Sequence, residues 1–320
     1  MRKKVAGIPI YLFALAFAIC LVAILLGSFY DLEISQGFVI TENVFGKVVA
    51  LAGKYPGYAL LALSGLLFFL SRKEKKGTFN VILSWGFLIA LGLGAGALYG
   101  IDDIDELLDD KVISALIGVV ALAPAELLFY FLFRKADHAE AFNASMAFLF
   151  IGVLTIGVSY LLKTAALRPR YSWLFETDNL TLYQDWFSFS SAAREANPAF
   201  PDSDFASWPS AHTALASVTV AMVLFPRLNS KLAGKQIVFL LASFLWTALV
   251  AVGRVSDGSH FISDVGWGAL IGLLLSFLVL FVIYPSPKAL VEQPVSPTTS
   301  PLKNVKNKKK TKDNDLEIDI

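Results

Sequence analysis

Long apolar runs recur along this chain, separated by short charged or turn-rich segments. A membrane span needs ~20 apolar residues, fewer where the bilayer thins locally. The runs cover residues 5–29, 58–70, 79–99, 112–133, 145–162, 213–225, 237–252 and 262–284. They predict an all-α, polytopic transmembrane helix bundle of about eight spans. The run at 58–70 is the shortest, and it extends back through Tyr55. Residues 36–54 mix apolar and polar positions and read as an interfacial helix or loop. The basic start Met1-Arg2-Lys3-Lys4 leads into an apolar run longer than the ~7–15 residues of a signal-peptide core. It also lacks a small-residue cleavage site, so an uncleaved anchor is expected.

Composition agrees with this class. The chain is 56% hydrophobic and 17% charged, whereas soluble domains carry about 25% charged residues. A formal net charge of +1 gives no case for a nucleic-acid partner. Cys20 is the single cysteine, so no internal disulfide can form. Three scattered histidines do not make a zinc cluster.

Charge sets the expected orientation, because cytoplasmic loops carry excess Lys and Arg. With the N-terminus inside, the segments Arg72–Lys76, Arg134–Lys135, Arg227 with Lys231 and Lys235, and the lysine-rich tail all fall inside. The stretch 31–54, the acidic segment Asp102–Glu106 and the loop 171–208 fall outside. One basic cluster breaks the rule: Lys163, Arg168 and Arg170 sit outside, which a bound ligand explains better than topology does. After Tyr284 the chain turns to Pro, Ser and Thr, then to lysines and an acidic end. This predicts a disordered cytoplasmic tail over 285–320, whose lysines enforce topology or meet anionic headgroups. The expected organisation is 1–144 as N-terminal spans and loops, 145–284 as a catalytic membrane domain, and 285–320 as the tail.

With that alternation, three polar segments share the outer face. They are Lys163 to Arg170, Pro209-Ser210-Ala211-His212, and Arg254 through His260 to Asp264. His260 and Asp264 are spaced to share one helix face. Asp264 is expected to accept from His260 Nδ1, leaving Nε2 free as a nucleophile. The N–H groups after Pro209, at Ser210 and Ala211, suit an anion site at a helix start, and His212 is placed to protonate a leaving oxygen. Lys163, Arg170 and Arg254 supply the positive charge that phosphoryl transfer needs. No metal is required by this set, and no other cofactor is implied.

These segments resemble the type 2 phosphatidic acid phosphatase (PAP2) superfamily, whose pattern is K-x6-R-P, then P-S-G-H, then S-R-x5-H-x3-D. The first matches at Lys163 and Arg170, with Tyr171 where proline is usual. The second matches at Pro209, Ser210 and His212, with Ala211 in place of glycine. The third matches at Arg254, His260 and Asp264, with Gly253 in place of serine. The resemblance covers 145–284 and implies a PAP2/vanadium-haloperoxidase-like core. It implies that His260 attacks phosphorus, that His212 protonates the leaving group and later activates water, and that Asp264 orients His260. Lys163, Arg170, Ser210 and Arg254 would hold the phosphate. Arg168 is an extra basic residue, meeting substrate or, the favoured reading, lipid headgroups; Ala211 sits where backbone approaches phosphate.

The expected activity is metal-independent hydrolysis of a lipid phosphate or pyrophosphate at the extracytoplasmic face of a plasma or inner membrane. Phosphotransfer to another acceptor would use the same residues, and a non-catalytic lipid binder or transporter of the same fold is the reading from another class. The expected partners are the lipid phosphate and the bilayer. The aromatic loop 171–208 reads as a lid that selects substrate, or as an interfacial anchor. Glu126, inside a predicted span after Pro124, reads as a structural bond at a kink. The Asp102–Asp110 cluster reads as a solvated loop rather than a calcium site.

Overall fold

Each predicted apolar run becomes a helix. The computed structural model describes residues 4–40, 43–72, 74–75 and 77–284; the tail expected at 285–320 lies outside them. A short antiparallel hairpin, β1 (Lys4–Val5) with β2 (Ile8–Pro9), leads into α1 (Ile10–Phe38). The first span therefore starts later than residue 5 and runs well past residue 29. The reason is a single buried face, Phe13, Ala16, Cys20, Ile24, Gly27, Asp31 and Ser35, whose helical spacing continues through its polar end.

The interfacial helix expected in 36–54 is α2 (Val44–Ala52), whose first turn is capped by Asn43 Oδ1 accepting from Gly46 N at 3.0 Å. Next come α3 (Tyr55–Arg72) and α4 (Thr78–Tyr99), the latter running through a π-helical turn at Gly100–Ile104 into α5 (Asp105–Leu108). Asp110 and Asp137 cap α6 (Lys111–Phe133) and α7 (His138–Ala166). Leu167, at φ 49°, closes α7 in a left-handed turn just before Arg168-Pro169-Arg170.

The loop expected at 171–208 is folded. It holds α8 (Tyr171–Glu176), α9 (Ala192–Ala196) and 3-10 turns at Leu180–Leu182 and Asp202–Phe205. The sixth span is compound: α10 (Ala211–Ser217), a 3-10 stretch Val218–Leu224 and α11 (Phe225–Leu228). α12 (Gln236–Ser256) and α13 (Ile262–Ile283) complete the described chain.

Among the described residues, eight stretches are long and apolar enough to cross a membrane, and the chain is an integral membrane protein with a helical bundle. Two stretches are central: the most apolar windows of Val44–Arg72 and Ala211–Leu228 are 83% and 89% buried, against 17% for Lys111–Phe133. The outer helices expose large apolar side chains such as Leu116, Val120, Leu161 and Val282, as lipid contact requires. Glu126 lies against Gly92 of α4, where an added Cβ would come within 2.9 Å of its Oε1.

α1 packs on α13, α3 on α4 and α7, and α10 on both α12 and α13. The α10–α13 approach brings the two histidine-bearing segments together, and it depends on absent side chains. A Cβ on Gly268 would sit 2.3 Å from the Ser210 carbonyl oxygen, and one on Gly272 would sit 2.3 Å from that of Ala214. Both neighbours are backbone and cannot rotate away. Gly268→Leu is expected to cost about 1–3 kcal/mol by overpacking, read as a lower Tm in detergent. It should also reduce any activity by displacing α10 from α13.

Candidate active site

The three polar segments meet. Lys163 stands in the last turn of α7, and its Nζ donates to the Ala206 carbonyl, on the segment that leads to Pro209. Arg170 precedes α8, and its backbone N–H donates to the Asp204 carbonyl at 2.7 Å. Arg254 ends α12, where its Nη1 pairs with Asp257 Oδ2 at 2.9 Å. Gly258, at φ +75°, permits the tight turn that returns the His260 N–H to the Arg254 carbonyl at 3.0 Å. The His212 and His260 ring centroids are 6.4 Å apart. The charges of Lys163 and Arg254 act on His260, and those of Arg254 and Arg170 act on His212.

The partner of His260 differs from expectation. Its Nδ1 donates to the Ser207 carbonyl at 2.7 Å, while Asp264 Oδ2 stands 3.9 Å away. A carbonyl only accepts, so Nδ1 carries the hydrogen and Nε2 keeps its lone pair. The tautomer is the expected one, but a backbone oxygen sets it. Asp264 instead accepts from Arg168 Nη1 and from Ser207 Oγ, both at 2.5 Å, and from the Phe261 N–H at 2.9 Å. Its carboxylate holds the frame around the histidine. His260 is 1% exposed. Burial above all, then the charges of Lys163 and Arg254, hold its pKa well below the ordinary 6.5, against the opposing pull of Asp264.

Ser210 is also committed more fully than expected. Its backbone N–H donates to the Asp264 carbonyl at 3.1 Å, so it does not point at an anion. Its Oγ caps α10, accepting from Thr213 N at 3.4 Å and Thr213 Oγ1 at 3.0 Å. The hydroxyl hydrogen is what Ser210 has left to offer a ligand. Pro209 lies one residue before this cap rather than in the first turn, and buried Ala211 opens the helix.

Arg168 is not at the surface, where a headgroup anchor would stand. It is 1% exposed, and every part of its guanidinium is engaged. Nε donates to the Gln184 carbonyl at 2.8 Å, Nη1 to Ser263 Oγ at 3.0 Å as well as Asp264, and Nη2 to Asp31 Oδ2 at 2.9 Å and Tyr183 Oη at 3.2 Å. The Phe261 ring lies 4.1 Å from its Cζ. The residues sequence reasoning missed here are Asp31, Ser207 and Ser263. Asp31 accepts from the Ser263 N–H at 3.0 Å and from its hydroxyl.

A second buried polar cluster surrounds His212 and takes in Asp102 and Asp103 of the acidic loop expected to be solvated, whereas Asp109 and Asp110 are exposed. Lys54 Nζ lies 2.8 Å from Asp102 Oδ2 and 2.7 Å from Asp103 Oδ1. Asp102 also accepts from Tyr58 at 2.7 Å and from Tyr160. His212 Nε2 lies 3.0 Å from the Ala50 carbonyl and 3.3 Å from Asp103 Oδ1. Burial beside a lysine explains why these carboxylates leave solvent.

The folded segment after Arg170 caps the His260 turn. Ser172 N donates to the Gly258 carbonyl at 2.9 Å, and Tyr171 and Tyr183 pack on Phe261 with centroids 6.2 and 5.4 Å away. Trp186 reaches α1 through Ser28 Oγ at 2.9 Å and packs against Trp208 and Trp267.

Residues 144–287 match the family model of the PAP2 superfamily. No curated protein and no solved structure matches the chain.

Removing one partner of a fully buried ion pair strands the other charges, at a cost of about 3–5 kcal/mol. Arg168→Ala strands Asp31 and Asp264 together. It is expected to produce a large fall in Tm in detergent, with Arg168→Lys recovering only part because it loses the fork geometry.

Proposed function

We propose, from the premise that the chain belongs to the PAP2 superfamily through residues 144–287, that it is a membrane phosphatase acting on a lipid phosphate or lipid pyrophosphate. The observation that carries this is the buried, neutral His260 whose Nδ1 is held by the Ser207 carbonyl, with Nε2 unprotonated among cationic groups. In this reading residues 145–284 are the catalytic membrane domain and residues 1–144 support it.

The reaction runs in two displacements. His260 Nε2 attacks phosphorus, the bond to the leaving oxygen breaks, and His212 gives that oxygen a proton. Water then attacks the phosphohistidine while His212 takes the water proton, and the P–N electrons return to Nε2. Lys163, Arg170 and Arg254 balance the charge on the equatorial oxygens, with the Ser210 hydroxyl as a further donor. Asp264, through Ser207 and Arg168, keeps the histidine loop in place. None of these steps calls for a metal.

A lipid substrate is supported by a lateral apolar groove of about 560 Å³ between α1, α12 and α13. It is lined by Cys20, Ala248, Ala251, Val255, Ile262 and Val265, which include the chain neighbours of Arg254 and Asp264. The pattern of basic loops favours cytoplasmic termini and an extracytoplasmic site. The cap over 171–208 stands where it would select the lipid headgroup.

Purified protein with a panel of lipid phosphates and chelator is expected to release phosphate, and His260→Ala to lose at least about 10³-fold of that activity. Undiminished release by the variant would exclude His260 as nucleophile. The pH profile supplies a separate check. Because His260 is the base and its folded pKa lies below 6.5, kcat/KM, corrected for substrate ionisation, should persist as pH falls through 6.5 and decline only well below it. The unfolded chain takes up that proton first, so His260 also draws down stability as pH falls below its unfolded value of about 6.5. An acid limb centred at 6.5 or higher would contradict the assignment.

A further inference from the structure

The environment of His212 is built largely by the part of the chain that the family model does not match. Ala50 belongs to α2, Lys54 follows it, and Asp103 lies in the π-helical turn after α4. The two groups within reach of His212 Nε2, the Ala50 carbonyl at 3.0 Å and Asp103 Oδ1 at 3.3 Å, are both acceptors. Nε2 therefore carries hydrogen, and Nδ1 is the ring nitrogen that exchanges a proton.

The neighbouring carboxylates divide the work. Asp102 is taken up by the hydroxyls of Tyr58 and Tyr160 as well as by Lys54. Asp103 is 5% exposed, and neither of its oxygens has a hydrogen-bond partner among the described residues. Its close neighbours are the Lys54 ammonium and the His212 ring. Asp103 is the carboxylate nearest the ring, its Oδ1 standing 3.3 Å from Nε2.

We infer that Asp103 is a positioning residue for proton transfer by His212. The Ala50 carbonyl holds Nε2–H, and the Asp103 carboxylate 3.3 Å away stabilises the imidazolium, so that the Nδ1 proton passes to the leaving oxygen as the P–O bond breaks. Nδ1 then accepts a proton from the attacking water. This rests on the phosphatase reading above and adds to it that the N-terminal spans complete the proton-transfer apparatus.

The test compares leaving groups at matched apolar tails. Dodecyl phosphate expels an alkoxide that needs a proton; 4-dodecyl-2-nitrophenyl phosphate expels a stable phenolate that does not. In single-turnover measurements on the full chain, Asp103→Asn should slow dodecanol release by about 10²-fold or more. The nitrophenolate burst should stay within a few-fold of wild type, and its subsequent turnover should slow because water activation also needs His212. Asp103→Glu keeps the charge and should fall between. Asp102→Asn, which touches no histidine, should lower Tm and affect both leaving groups alike. Asp103→Asn slowing both first steps equally, or neither, overturns the inference. If Asp103→Asn does not fold, the same leaving-group ratio in Asp103→Glu decides it. A wild type that releases neither alcohol sinks the phosphatase reading itself, whereas an active wild type with an unselective Asp103 variant sinks only this inference.

Discussion

The buried guanidinium of Arg168 is the constraint on which the rest of the site depends. It joins Asp31 of α1, Asp264 and Ser263 of α13, and the cap through Gln184 and Tyr183. Two carboxylates and one guanidinium in so little water are tolerable only because all are hydrogen-bonded as well as paired. The arrangement is worth little as net stability against an apolar equivalent. Its value is positional: helices distant in sequence can dock in one register only.

Backbone carbonyls set both histidine tautomers, Ser207 for His260 and Ala50 for His212. A carbonyl cannot donate, so in each ring the nitrogen beside it carries hydrogen and the other nitrogen is the one left to exchange a proton. The carboxylates near the two rings act at longer range. Asp264 frames the His260 turn, and Asp103 stands 3.3 Å from the hydrogen-bearing Nε2 of His212.

The spans were legible because lipid contact demands uninterrupted apolar runs, and the histidine segments were legible through their spacing at span ends. What was not legible was where the polar partners lie. Asp31 falls on the helical face of Ala16, Cys20, Ile24 and Gly27, so continuing that period past residue 29 would have found it. Lys54 is a basic residue on the outer side of the predicted topology, and the argument that singled out Lys163 applies to it equally. The acidic turn at Asp102 and Asp103 looked solvated because composition cannot report that a lysine and two tyrosines converge on it. The role of Ser207 is carried by its carbonyl, and no side-chain pattern encodes that.

Ser207 also bounds how the cap can be altered. Its N–H binds the Arg168 carbonyl, its carbonyl binds His260, and its hydroxyl binds Asp264. Upstream, Arg170 and Ser172 are pinned by the Asp204 and Gly258 carbonyls. The cap is thus clamped at both roots and again at Tyr183, Gln184 and Trp186, so residues 187–203 are the stretch whose length can change without disturbing the Arg168 contacts. Grafting a foreign loop there would leave both roots in place; a single inserted residue between 204 and 210 would shift the carbonyl that accepts from His260 Nδ1.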